Sequence, residues 1–149
     1  MWKRILVPHD FSAGANHATA LARDEALAHG GEMLLLHVVD LPLGFGPNTT
    51  VTLTPGATPV GIRDYAMTGA TEHMLDLAKR LEADGVAVST FVRMGHIVEE
   101  ILRLAREHEV DTIVMGTHGR SGLGHLLSGS VAERVVRTSP VPVVTTRHP

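Results

Sequence analysis

Two short segments hold the residue types whose spacing could do chemistry. One is Pro8-His9-Asp10, which follows the apolar run Ile5-Leu6-Val7. The other reads Gly116-Thr117-His118-Gly119-Arg120-Ser121-Gly122-Leu123-Gly124-His125-Leu126-Leu127-Ser128-Gly129-Ser130. Glycines allow the backbone to approach a ligand closely, and runs of backbone N–H groups make anion-binding concavities. Gly129-Ser130 opens a helical stretch whose positive dipole end would point into the loop. The chemistry these parts suit is cradling of phosphate. A plainer reading stays open: Ser130 and Glu133 fit a capping box, and glycine-rich loops also make ligand-free turns. Arg120, Arg134 and Arg137 could approach a phosphate, although Arg137 reads better as solvated surface charge.

Two familiar phosphate motifs are missing. Gly119 and Gly124 have the spacing of a P-loop, but His125 stands where its lysine belongs. A dinucleotide fingerprint needs glycines after the first strand, where this chain has Pro8-His9-Asp10-Phe11. Of the ten histidines, His118 and His125 lie in the glycine loop, and His9 is expected to face it. Their spacing matches no metal motif, and no cysteine accompanies them, so no dedicated metal site is expected. His17, His29, His73, His96 and His108 fall on helices or their ends and read as surface residues. His37 sits in a central strand and reads as a hydrogen-bonded core histidine. Glu99 and Glu100 have no partner arrangement for acid/base work, and no Ser-His-Asp set follows from chain order.

The elements that must position these segments follow from periodicity. Ile5-Leu6-Val7 reads as a strand closed by Pro8. Ser12 can cap a helix through about His29, with Ala15, Ala18, Ala22 and Ala26 on one face and Gly30-Gly31 as its stop. Met33 to Val39 is apolar on both faces, as in a strand covered on both sides. Residues 41–63, rich in Gly, Pro and Thr, read as a long loop. Met67, Ala70, Met74, Leu77, Ala78 and Leu81 form a helical stripe ended by Gly85. Val86 to Arg93 alternates like an outer strand with one wetter face. Ile97, Ile101, Leu104 and Ala105 mark another helix, Asp111 to Met115 a buried strand, and Ser130 to Arg137 a short helix. Val141 to Thr146 is the last strand, and Pro140 and Pro142 mark its start as an edge. Such alternation predicts an α/β fold: a doubly wound, five-stranded parallel sheet in the order 3-2-1-4-5, with helices on both faces. The chain then reverses direction between the first and fourth strands. Ligands bind such sheets at that switch point, at the strands' C-terminal ends.

Composition narrows the function classes. The 149 residues fit one domain, 1–149. There is no cysteine, which excludes disulfides and thiolate chemistry. A net charge of -3 with 3% aromatic residues disfavours nucleic acid as a partner. No apolar run is long enough for a membrane span and no signal peptide is visible, so a cytoplasmic location is expected.

The order of motifs then becomes specific. Gly116, two residues, Gly119, nine residues and Gly129-Ser130 resemble the ATP-binding signature of the universal stress protein family. Lys3-Arg4-Ile5-Leu6-Val7-Pro8 with Asp10-Phe11-Ser12 looks like that family's opening strand. Leu35-Leu36-His37-Val38 looks like its second strand, and Ser139-Pro140-Val141-Pro142-Val143-Val144 like its last. The resemblance spans the chain and implies ATP or ADP with magnesium as ligand. It implies that Asp10 contacts the ribose or helps place the magnesium, and that Val38 holds the adenine through its backbone. Gly116 and Gly119 would line the phosphates, and Gly129, Ser130 and Val131 would bind their oxygens. Pro8, His9 and Met115, with His118 and Arg120, complete the expected contact set. His9 departs from the family, where threonine or a small aliphatic residue is more usual. The resemblance further implies a homodimer through Val141 to Thr145. Nucleotide would act as a regulator of conformation or oligomer state in a stress or signalling protein. The alternatives are a slow ATPase or nucleotidyl-transfer enzyme, and a nucleotide-free interaction module.

Overall fold

Seven strands and four helices are described, and five of the strands form one parallel sheet in the order β5-β2-β1-β6-β7. These are β1 (Arg4–Pro8), β2 (Glu32–Val39), β5 (Ala87–Met94), β6 (Thr112–Gly116) and β7 (Val143–Thr146). The computed structural model describes residues 1–41, 44–117 and 130–147. Counted within the sheet alone, the order is the expected 3-2-1-4-5. Helices α1 (Ala13–His29), α2 (Ile62–Ala83), α3 (Ile97–Glu107) and α4 (Ser130–Thr138) link the strands.

Side-chain alternation along the strands divides the core into two layers. Ile5, Val7, Met33, Leu35 and Val114 point to one face, against Ala18, Ala22 and Ala26 of α1 and Met74, Leu77 and Leu81 of α2. Leu6, Leu34, Leu36, Ile113 and Met115 point to the other, against Val98, Ile101 and Leu104 of α3 and Ala132 and Val135 of α4. Each fully buried Leu or Ile stabilises the fold by about 1.5–3 kcal/mol. The alanine stripe gives α1 a flat face that lies close to the sheet. Gly30 ends α1 in the left-handed conformation (φ 62°) that glycine adopts without steric cost.

The sequence reading of 41–63 as one loop is corrected. A short antiparallel hairpin, β3 (Thr50–Val51) and β4 (Val60–Gly61), lies within it, and α2 starts directly afterwards at Ile62. Strands of two residues carry no usable alternation, and Arg63 and Asp64 mask the helix start. The last strand begins at Val143 rather than Val141, because Pro140 and Pro142 lack the N–H groups that pairing needs. At the opposite end of the sheet, the Asp111 carboxylate accepts from the N–H groups of Lys3 (2.7 Å) and Arg4 (2.8 Å), tying the start of β1 to β6. Among the described residues no helix is long and apolar enough to cross a membrane.

Candidate functional site

The C-terminal ends of β1, β2 and β6 meet where the strand order reverses. In a parallel ladder, one residue's N–H and C=O face the same neighbouring strand, and the side alternates along the chain. The His9 N–H donates to Leu36 O (2.8 Å), so Leu36 faces β1; the Gly95 N–H donates to Val39 O (3.2 Å), so Val39 faces β5. Val38 therefore faces β1, but β1 pairs with β2 only as far as Pro8↔Leu36. The His9 carbonyl, which the next rung would use, accepts the Nδ1–H of His37 instead (2.8 Å). The backbone of Val38 is thus directed past the end of β1, into the switch point. On the other side, β1 pairs with β6 only at Ile5↔Thr112 and Leu6↔Ile113. By the same alternation Pro8 faces β6, where it has no N–H to give.

The turn from β1 into α1 is held by its own side chains. Ser12 caps α1, its Oγ accepting from Ala15 N–H (3.1 Å). The Asp10 carboxylate accepts from both the N–H and the hydroxyl of Ser12. Between them, Phe11 adopts a left-handed backbone (φ 63°), which is uncommon outside glycine. Its N–H donates to His9 Nδ1 (3.0 Å), and its ring lies against the rings of His9, His37 and His73 at centroid distances of 5.2, 4.7 and 5.2 Å. His9 is only 4% exposed. With Nδ1 accepting, Nε2 carries the proton and donates to Asn16 Oδ1 (3.1 Å). Burial holds its pKa below the usual 6.5; Asn16 and Asp10 oppose the shift, while His37 and Arg80 add to it.

The expected residues do not all share a face. Val38, Met115 and Val131 belong to the α3/α4 layer, and alternation puts the Pro8 side chain with them. His9 shares its parity with Ile5 and Val7, on the α1/α2 face. Its ring is turned toward α1, where Nε2–H meets Asn16; the glycine loop it was expected to face lies outside the described residues. Met115 is buried in the core. Gly116 has a packing reason for lacking a side chain, because a Cβ there would lie 2.9 Å from the Gly14 carbonyl carbon and 3.0 Å from its oxygen. Ser130 is the first residue of α4, with Val131 half-buried beside it. His118, Gly119, Arg120 and Gly129, with the rest of the glycine loop, lie outside the described residues.

Sequence reasoning missed the outer wall. Register places Arg93 opposite Val38 on β5, hence on the same face. Arg93 pairs with Glu107 (2.6 Å) and with the buried carboxylate of Glu100 (3.6 Å), which also meets Arg103 (2.9 Å). The β5–α3 turn therefore stands beside Val38, braced by charge pairs. A signal existed in Gly95, whose φ of 151° few other residues adopt. A separate crevice of about 300 Å³ opens on the α1/α2 face between His9, Phe11, Asn16, His73, Asp76, Leu77 and Arg80. Among the described residues, no group of three or more His, Asp or Glu could hold a metal ion.

Comparison with known proteins adds to this geometry. Residues 1–147 match the universal stress protein family. The universal stress protein MJ0577 of Methanocaldococcus jannaschii is 32% identical over 160 residues, covering 99% of this chain and 96% of its own. The solved structure of MJ0577, at 28% identity, covers 100% of this chain and 98% of that one with a TM-score of 0.79. A universal stress protein solved in complex with cAMP has the same fold at 19% identity, TM-score 0.71, covering 98% of this chain and 97% of its own. Another, from Archaeoglobus fulgidus and in complex with dAMP, has it at 20% identity, TM-score 0.67, covering 96% of each chain.

Proposed function

Because the chain belongs to the universal stress protein family, we propose that it binds an adenine nucleotide, ATP or ADP with magnesium, at the C-terminal edge of the sheet. The observation that carries this reading is the Val38 backbone, directed past the end of β1 at the switch point. A donor and an acceptor side by side suit the edge of an adenine, and Asp10, in the turn after β1, would take the ribose. Gly119, Gly129 and the start of α4 at Ser130 and Val131 then take the phosphates. Gly116 serves by its backbone, since Gly14 already explains its missing side chain. No acidic cluster waits for a metal among the described residues. Magnesium would therefore arrive with the phosphates, as it commonly does, with Asp10 as the carboxylate within reach. The fold accommodates adenosine monophosphates in the cAMP and dAMP complexes of its neighbours, which supports the reading at the level of architecture.

The nucleotide acts here as a regulatory ligand rather than a substrate. No P-loop lysine is present, and of the described histidines at the ends of β1 and β2, His9 has both ring nitrogens engaged and His37 donates its Nδ1–H to the His9 carbonyl. A second copy of the chain would pair along β7 and make the regulated unit a homodimer. The test is to denature protein purified without added nucleotide and identify what is released. Adenine nucleotide near one equivalent, absent from Gly129→Val protein of unchanged circular dichroism, is the expected result. No nucleotide released, and none taken up on incubation with magnesium and ATP, contradicts the reading.

A further inference from the structure

We infer that His9 is a positioning residue, whose Nδ1 sets the turn that carries Asp10 to the nucleotide site. The inference rests on the nucleotide reading above and names a residue that acts through another. Every polar group of His9 is used. Its N–H donates to Leu36 O, its carbonyl accepts from His37, Nε2–H donates to Asn16, and Nδ1 accepts from Phe11 N–H. The last of these is an acceptor reaching the N–H two residues on, which is what an asparagine or threonine side chain does in an Asx or ST turn. Here an imidazole does it from inside the core.

The need for the contact lies at Phe11. A left-handed backbone is costly for a residue with a Cβ, and Phe11 persists in it because its neighbours over-determine it. The His9 Nδ1 bond fixes its N–H, and the three imidazole rings fix its side chain. Phe11 lies between Asp10 and Ser12, which are joined to each other by hydrogen bonds. If Phe11 relaxes to an ordinary conformation, the peptide planes on both sides rotate. The Asp10 carboxylate and the cap of α1 then move together. His9 therefore acts from the α1/α2 layer of the core, through one backbone N–H.

This role and plain core filling predict opposite mutant behaviour. His9→Asn keeps an acceptor at the right distance along the chain but loses bulk, and His9→Leu keeps bulk but loses the acceptor. ATP affinity and Phe11 amide hydrogen exchange are measured on wild type and both variants. Positioning predicts that His9→Asn binds ATP within about threefold of wild type, while His9→Leu binds about tenfold or more weakly, the scale of one lost hydrogen bond. Phe11 amide protection should survive in the first and vanish in the second. Wild-type affinity and protection in His9→Leu would overturn the inference, as would loss of both in folded His9→Asn. Should His9→Asn fail to fold, His9→Thr supplies a hydroxyl acceptor and takes its place. If wild type binds no ATP, the nucleotide reading falls by itself. The amide exchange then decides whether His9 sets the turn.

Discussion

Gly116 separates packing from ligand binding at single-residue scale. Its missing side chain is explained by the backbone of Gly14 (closest approach 2.9 Å), so Gly116→Ala should cost stability whether or not nucleotide is present. About 1–3 kcal/mol is expected from forcing a methyl group against backbone, read from urea denaturation. Unchanged stability would return Gly116 to the set of residues kept for the ligand. His9 supplies the pH dependence at this scale. Burial depresses its pKa from 6.5, and protonating Nδ1 would also remove the acceptor of Phe11 N–H. Above that value folded and unfolded chains are both neutral there, and the stability is fully present. Below it the unfolded chain takes up a proton that the folded chain resists, so stability is lost as pH falls toward the folded pKa. Denaturation midpoints between about pH 7.5 and 5.5 should fall in wild type, with a shallower slope in His9→Asn. Asp111 acts in a lower window. The N–H groups of Arg4 and Lys3 hold its carboxyl below 3.8, so its contribution is present above that value and lost only in stronger acid.

Among the elements, α1 and β7 make separable predictions. Ser12→Ala removes the cap of α1 and the group that holds Asp10. It should cost about 1 kcal/mol in thermal or urea unfolding. β7 is an edge strand, as its prolines and the expected sheet order had indicated. The Val143 and Val144 side chains do not lie on that edge: they pack into the two core layers. A charge at Val143 would thus unsettle the core as well as any dimer. Thr146 O accepts Thr117 N–H and Pro142 O accepts Ile113 N–H, so alternation turns the backbone of Thr145 away from β6. Thr145→Pro removes one outward N–H and leaves the β6 ladder intact. Light scattering should show a dimer for wild type and a monomer of similar melting temperature for the variant. A wild-type monomer at high micromolar concentration would rule out the homodimer.

At the scale of the whole molecule, sheet order and layer composition were legible because most strands and helices carry strong periodic signals. The continuous apolar strands, the alanine stripe of α1 and the Ile97-Ile101-Leu104 row each had one sensible place. The β3–β4 hairpin was not legible, because two-residue strands have no period. Half of the candidate site was legible as well. Asp10, Val38 and Gly116 do come to one end of the sheet, since chain order and the switch point dictate it. The direction of the His9 ring was not, because His9 lies one residue past the end of β1 and its ring is fixed by contacts with Asn16 and Phe11 that no local pattern carries. The wall made by Arg93, Gly95 and Glu100 needed the register of β5 against β2, which no local pattern carries. With no lysine in the glycine loop proposed to take the phosphates and His9 fully engaged, turnover should lie far below the roughly 1–100 s⁻¹ of kinases. Phosphate release above about one per second, lost in Gly129→Val, would make this an ATPase.

The central claim is that adenine is read by the backbone of Val38 at the switch point. It is tested most directly by calorimetric titration of nucleotide-free protein with ATP, and with GTP, in magnesium buffer. The account predicts saturable binding of ATP near one equivalent and clearly weaker binding of GTP, whose edge reverses the donor and acceptor that Val38 would meet. No heat at millimolar ATP, or GTP bound as tightly as ATP, would contradict it.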